Sequence, residues 1–265
     1  MKKLLLYTGL WALLIFVQCK EDPEVDPNYP TVVEQLEDSD INQIVYDLQQ
    51  SPMVFCQTVD QYGFPSISFD DTLCINEESW IYNATTKELI DSAKSAIFRY
   101  GNFLNVIDTS KIEFLSIISN DNVTFEKFYK EPNDSGPPAW ILTTRSQVYD
   151  GYEVSGTNLK IILAPDHIAG IGGHWYTNIY VPTTDNYSEE AAKESLINRT
   201  FTYSRNEIIP TNDMTWHETK KVIIPVRRAD TIELRVCWAL HPSTWEIAVD
   251  TQNGEVITCV DISSL

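Results

Sequence analysis

The chain has 265 residues, 43% of them hydrophobic, enough for one large or two small domains with cores of their own. Its 19 basic and 38 acidic residues give a net charge of −19, which repels nucleic-acid phosphates and anionic headgroups and argues against a nucleic-acid-binding role. Such a surface keeps the chain soluble and favours a basic partner.

Residues 1–18 open on a basic MKK and continue through the apolar run LLLYTGLWALLIFV. That run is shorter than the ~20 residues of a comfortable membrane span. It leads to Cys19, and the whole resembles a bacterial lipoprotein signal peptide, cleaved before Cys19 and lipidated on it. Gln18 stands where Gly or Ala is usual. The following KEDPE is similar to the export tag that carries Bacteroidota lipoproteins to the cell surface. The resemblance implies an outer-membrane, surface-exposed protein that meets the membrane only through its lipid. Residues 19–40 are acidic, hold three prolines and show no sustained period, so they read as a tether. The fold is expected to begin near Ile41.

Outside the cytoplasm, Cys56, Cys74, Cys237 and Cys259 allow two disulfides in three connectivities. Nearness in sequence pairs Cys56 with Cys74 and Cys237 with Cys259. No pair has the zinc spacing C-x-x-C.

Strands are expected at VFCQTV (54–59) and PSISF (65–69), around the turn DQYG. TTKE (85–88) has the form of a capping box. Leu89, Ala93, Ile97, Tyr100 and Leu104 then recur at helical spacing, with Gly101–Asn102 weakening or ending the helix. Strands follow at 111–119, 123–130, 139–154, 158–165 and 174–182. A second helix begins at Ser188, a plausible N-cap, with Glu189 and Glu190 in its first turn. The strands 220–228, 231–240, 245–250 and 255–262 close the chain. A helix followed by a meander thus occurs twice, which is an α+β pattern.

Catalytic signatures are missing. HETKK (217–221) has Lys221 where a zinc helix needs its second His, so His217 gains no metal role. GIGGHWY (170–176) lacks the phosphate-loop order and reads as a turn or bulge. His167, His174 and His241 share no ligand spacing, and no nucleophile elbow is present. No cofactor or metal is expected. Trp175, Tyr176 and Tyr180 could stack on a sugar, but in a strand Trp175 and Tyr176 point to opposite faces, which favours core packing.

IELRVCWAL…WEIAVDTQNGEVI resembles the end of a PepSY module through Leu234, Val236, Trp238, Trp245, Val249, Asp250, Gly254, Glu255 and Val256. SEEAAKESL (188–196) is similar to that module's first helix. Residues 145–182 resemble the fungalysin/thermolysin propeptide region: QVYDGYEV runs into NLKIIL, then a glycine turn and an aromatic segment ending at Pro182. DQYGFPSISF (60–69) fits the start of such a region. EPNDSGPPAW and HPST depart from the pattern.

The resemblance implies two tandem cystatin-like/PepSY-like halves, 41–182 and 183–265, each a helix packed on an antiparallel sheet. In the family this region precedes a zinc metallopeptidase, assists its folding and inhibits it. No peptidase follows here, so the resemblance implies a free-standing, non-catalytic protein that inhibits or chaperones a secreted metallopeptidase in trans. The alternative is a surface lipoprotein that binds peptide or glycan with no peptidase link.

A meander over 232–262 places Cys237 and Cys259 both opposite Ala248, two strands or roughly 9–10 Å apart. A disulfide needs Cα atoms within roughly 7 Å. Asp250 and Gly254 then read as turn builders. Non-reducing peptide mapping is expected to find Cys56 linked to Cys74 and Cys237 separate from Cys259. A Cys237–Cys259 peptide would overturn the meander.

Overall fold

A computed structural model describes residues 26–50, 54–69, 85–115, 126–128, 139–163 and 168–264. Residues 1–25, which hold the expected signal peptide, Cys19 and the expected export tag, lie outside the described residues, as do Cys74, His167 and residues 116–125. The fold is mixed α+β, with a few helices and several antiparallel pairings.

The first surprise lies in the expected tether. Residues 31–34 form strand β1 (Thr31–Glu34), and helix α1 (Asp38–Gln49) follows directly. Acids and prolines masked both. Yet Ile41, Ile44, Val45 and Leu48 follow the i, i+3, i+4, i+7 spacing of one helix face, and Leu48 is fully buried.

Strands β2 (Val54–Val59) and β3 (Pro65–Phe69) form the expected hairpin. Helix α2 (Thr86–Arg99) starts on a complete capping box: the Thr85 hydroxyl accepts from the Glu88 amide at 3.3 Å, and the Glu88 carboxylate accepts from the Thr85 amide at 2.7 Å. The helix breaks at Tyr100, and a short helix α3 (Gly101–Leu104) completes the apolar face. Expected strand 111–119 instead opens with a 3-10 turn, Thr109–Lys111, and residues 112–115 pair only through the Phe114–Thr144 bridge. Of expected strand 123–130, β4 (Glu126–Phe128) is described.

Expected strand 139–154 is three strands: β5 (Ala139–Thr143), β6 (Val148–Tyr149) and β7 (Tyr152–Val154). Strand β8 (Leu159–Leu163) follows. The glycine-rich stretch expected to turn is instead strand β9 (Ile168–Gly173), while residues 174–182, expected as a strand, are irregular. The glycines allow close approach. A Cβ on Gly172 would meet the Pro65 carbonyl oxygen at 3.1 Å, and one on Gly173 (φ +140°) would lie 2.1 Å from that of Asn158. Helix α4 (Glu189–Leu196) begins at the Ser188 cap as expected. Strands β10 (Phe201–Tyr203), β11 (Asn206–Ile208), β12 (Lys220–Arg227), β13 (Thr231–Leu240), β14 (Trp245–Asp250) and β15 (Val256–Asp261) complete the chain.

One sheet has the order β2-β3-β9-β8-β5-β4 and is antiparallel throughout. Leu89, Ala93, Ile97, Tyr100 and Leu104 pack on its Ile67, Leu142, Ile161 and Ile171. Strands β10 and β11 form a separate antiparallel pair, and a second, larger sheet has the order β15-β14-β13-β12-β7-β6, with β1 added to β13. Ala192 and Leu196 of α4 pack on its Leu240, Ile247 and Val249. Strands from both sides of residue 182 therefore share this sheet, because β7 pairs in parallel with β12. The expected boundary at 182/183 does not divide the sheets. A parallel pairing between strands so distant in sequence leaves no local pattern to read.

The closing meander forms, but in another register. Cys237 stands opposite Asp250 and Cys259 opposite Ile247, while Ala248 pairs with Ala239 and Thr258. The shift arises because the β13–β14 ladder ends on Leu240 opposite Ile247, leaving Trp245 and Glu246 to pair only with β15, and because a bulge follows Ala248. Cys237 packs with Val222 and Ala248, whereas Cys259 joins the cluster beneath α4. Both thiols are free.

Strand β13 also anchors the N-terminal segment. One of its edges is shared by β1, opposite 231–234, and β14, opposite 237–240. At the gap, the Val236 amide donates to the Tyr29 hydroxyl oxygen at 2.9 Å, and the Thr251 amide donates to the Val236 carbonyl at 2.9 Å. The Tyr29 hydroxyl donates to Asp250 Oδ2 at 2.8 Å, and Arg235 Nη1 donates to the same oxygen at 3.0 Å. Burial, then the Asp250 charge, push the Tyr29 phenol well above its ordinary value.

Asp250 is 0% exposed and Arg235 8%. Replacing Asp250 by Asn removes the buried one of three carboxylates on Arg235 and leaves Glu233 and Glu255 at 2.8 and 3.1 Å; loss of a hydrogen bond to a charged group costs about 1.5–3 kcal/mol. Asp250→Asn is therefore expected to lower the urea midpoint at unchanged slope; a loss below about 1 kcal/mol would show that the pair is energetically idle.

Candidate functional site

Of the predicted site residues, the structure describes Cys56 in one sheet and Asp250 and Gly254 at the end of another. Cys19 and Cys74 lie outside the described residues, and Cys56 sits in β2. Asp250 and Gly254 do build the last hairpin turn. Asp250 Oδ1 accepts from the Gln252 and Asn253 amides at 2.7 and 3.1 Å, and Gly254 adopts φ +71°. Turn building is half of Asp250's role, since its other oxygen binds Tyr29 and Arg235. His217 precedes β12 outside any helix, and its amide donates to the His241 carbonyl at 2.9 Å. His174 stands 3.5 Å from Asp60. Burial raises the Asp60 pKa, but the bonds from His174 and the Phe64 and Tyr62 amides outweigh it and hold the carboxyl below its ordinary value. Among the described residues no group of three His, Cys, Asp or Glu could hold a metal. No helix among them is long and apolar enough to cross a membrane.

Trp175 and Tyr176 do face different cores. Trp175 packs against the helix-covered sheet, and Tyr176 lies in the second cluster, edge-on to Phe64 with ring centroids 5.2 Å apart.

The surface instead converges where the sequence drew no attention. Among the described residues, four of the eight large apolar side chains that face solvent, Phe98, Ile107, Leu115 and Val148, line one groove of about 960 Å³ or the recess of about 500 Å³ that adjoins it. Ile107 is 90% exposed and Val148 65%. Each position has a local cause. Asn105 at φ 58° ends α3, and the Val106 amide donates to the Gly101 carbonyl at 2.9 Å. The chain thereby reverses and turns Ile107 outward. Asp108 then caps the 3-10 turn by accepting from the Ser110 amide at 2.9 Å and its hydroxyl at 2.6 Å. Beyond the turn, Ile112 and Phe114 are buried while Glu113 and Leu115 face out, the alternation of an extended chain.

The opposite wall is the β6–β7 hairpin. Val148 pairs with Glu153 and Tyr149 with Tyr152 around Asp150 (φ 49°) and Gly151 (φ 84°). Two positive φ values match a type I′ turn, which Asp-Gly favours. That dipeptide was the legible signal for the hairpin. The floor is set by Gln147, 4% exposed, whose side chain acts as a strand would. Its amide nitrogen donates to the Tyr176 carbonyl at 2.5 Å, and its oxygen accepts from the Tyr176 amide at 2.9 Å. Its backbone amide donates to the Thr157 hydroxyl at 2.9 Å.

The rim is charged and more acidic than basic. Asp108, Glu113, Asp150 and Glu153 face Lys111 and Arg145. Arg145 lies 3.7 Å from Glu113, and Lys220 reaches Glu153 at 2.9 Å. Ser110 holds the Asp108 carboxyl below its ordinary value, and Lys220 does the same for Glu153. Strand β6 is the last in its sheet, so its outer backbone edge is unpaired among the described strands. A surface of this kind can hold an extended chain by its backbone and its apolar side chains.

Comparison with protein-family models finds no match, and comparison with curated proteins finds none either. Among solved structures the chain is similar to the Bacillus megaterium YpeB C-terminal domain, at 11% identity and a TM-score of 0.31, covering 86% of this chain and 98% of that one.

Gln147→Ala would leave the Tyr176 amide and carbonyl without partners in a buried place. It is expected to cost about 1–3 kcal/mol, whereas Val148→Ser on the open wall should stay within about 0.5 kcal/mol. Urea unfolding followed by tryptophan fluorescence separates the two; equal effects would show that Gln147 does not set the floor.

Proposed function

We propose that the chain is a non-catalytic polypeptide-binding protein, and that its groove holds an extended segment of another protein. The observation that carries this reading is the gathering of Ile107, Leu115 and Val148 around one groove beside an open strand edge, with Phe98 in the recess that adjoins it at Ile107. Scattered exposed apolar residues need no explanation, but a contiguous set flanked by charge points to an interaction site. A segment laid along β6 would pair with its backbone and set alternate side chains over Val148 and Ile107. Because β6 has two residues, it offers few backbone bonds. Apolar burial must supply most of the affinity. The acidic rim and the net charge of −19 favour a segment with basic residues beside its apolar ones.

The proregion resemblance gives the partner a class, a secreted metallopeptidase acted on in trans as inhibitor or folding chaperone. The PepSY-like and cystatin-like halves belong to the same proposal, as do anchoring through Cys19 and exposure on the outer membrane. The reading requires no cofactor.

The test mixes the purified full chain with thermolysin-type peptidases at micromolar concentration, measuring residual activity and complex formation by calorimetry. Wild type should bind and inhibit, and Ile107→Asp or Val148→Asp should weaken binding at least about tenfold, roughly 1.4 kcal/mol. If no peptidase binds, the peptidase assignment fails. If a peptidase binds both variants as tightly as wild type, the groove is not the contact.

A further inference from the structure

The N-terminal strand β1 lies off the main strand order of its sheet. It pairs with β13 alone, opposite residues 231–234. Its side chains alternate between partial burial and exposure, and Val32 is 48% exposed. Strand β13 does not depend on β1 for its place, because β12 pairs along its other edge and β14 pairs with 237–240. The segment before β1 is held by one buried side chain, Tyr29, 6% exposed, whose ring packs with Ile232, Leu234 and Val236. Its hydroxyl joins the Val236 amide to Asp250. Secondary holds come from the Tyr180 amide, which donates to the Thr31 hydroxyl at 2.6 Å, and from the Tyr180 hydroxyl, which donates to Asp26.

We propose that residues 26–36 are an exchangeable strand filling an acceptor slot on β13, and that the slot takes the same segment from a second copy of this chain. The slot consists of the 231–234 edge, an apolar seat for one aromatic ring, and a polar end formed by the Val236 amide and Asp250. Its chemistry selects the occupant. The Val236 amide needs an acceptor and Asp250 a donor at the same point, and a phenol hydroxyl is both. Phenylalanine would fill the seat and leave both polar groups unanswered. An added acid would face Asp250, Glu233 and Glu255, which already take both charged groups of Arg235 and Arg228. The occupant is therefore a Tyr-bearing extended segment that is uncharged beside the Asp250 end of the slot, and Tyr29–Val33 is such a segment, with Glu34 at the far end opposite Thr231. Exchange of an identical element between copies requires no new contact, and short, one-sided strands open at lower free energy than the sheet they join. The groove beside β6 plays no part in this.

The test uses a fluorescent peptide of residues 26–36 and the full-length chain carrying Tyr29→Phe, which loosens the resident strand and leaves the slot intact. The labelled peptide should bind this variant at least tenfold more tightly than wild type, and the same peptide with Phe in place of Tyr should bind it more weakly. Hydrogen exchange in the variant should quicken at 31–34 and 231–234 and stay slow at 237–240. Absence of peptide binding, or equal quickening of both sets of amides, overturns the proposal. Should Tyr29→Phe fail to fold, Val33→Asp loosens the same strand from the other end and is held to the same outcomes.

Discussion

Strand β13 organises the larger sheet, and the reach of one carboxylate explains how. Asp250 lies at the end of β14, where its amide-bound oxygen shapes the turn into β15 and its other oxygen is turned back toward β13. There it meets Arg235 and the hydroxyl of Tyr29, residues separated from it by 15 and 221 positions. A buried anion is tolerated only when its lone pairs are satisfied, so these three elements must arrive together. Glu233, Glu255 and Arg228 extend the cluster toward solvent. Burial raises the Glu233 pKa, but Arg228 and Arg235 outweigh it and hold the carboxyl below its ordinary value. Its stabilising contribution is thus complete above about pH 4.3, the usual value for an unfolded Glu, and fades as the pH falls through the lower folded value.

The groove depends on the same sheet at one remove. Strand β7 joins β12 in parallel, Lys220 ties Glu153 across that seam, and the Asp-Gly turn throws β6 outward as the edge. Gln147 then locks the irregular 174–178 stretch against this hairpin by imitating a strand. The chain between α3 and residue 115 supplies the facing wall, positioned by the left-handed Asn105 and the Asp108 cap. A rigid rim and floor with solvent-facing apolar side chains is what preorganised recognition needs, because little ordering entropy is left to lose on binding.

How much was legible varied with the range of the interaction. Helix α2, its capping box, helix α4 and the last four strands rest on spacing and caps within a few residues, and all were readable. The Asp-Gly turn carries a hairpin signal, but the residues on either side also read as one long strand, which hides it. Helix α1 showed apolar spacing inside a stretch dominated by acids and prolines. The glycines of β9 suggested a turn, since nothing local reveals that the Pro65 and Asn158 backbones press against them. The apolar residues of the groove and its recess stand at 98, 107, 115 and 148, with no common period, and only folding gathers them on one surface.

By itself the sequence determined the charge, the α+β content, where helices α2 and α4 begin, and the existence of the closing meander. These follow from local sterics, caps and side-chain periodicity, which act over a turn or a strand. Tertiary structure alone decided the register that separates Cys237 from Cys259, the parallel seam joining β7 to β12, the entry of 29–34 into the sheet, and the groove. Each of those turns on which backbone edge or buried charge meets which, and such pairings are settled by packing across the whole chain.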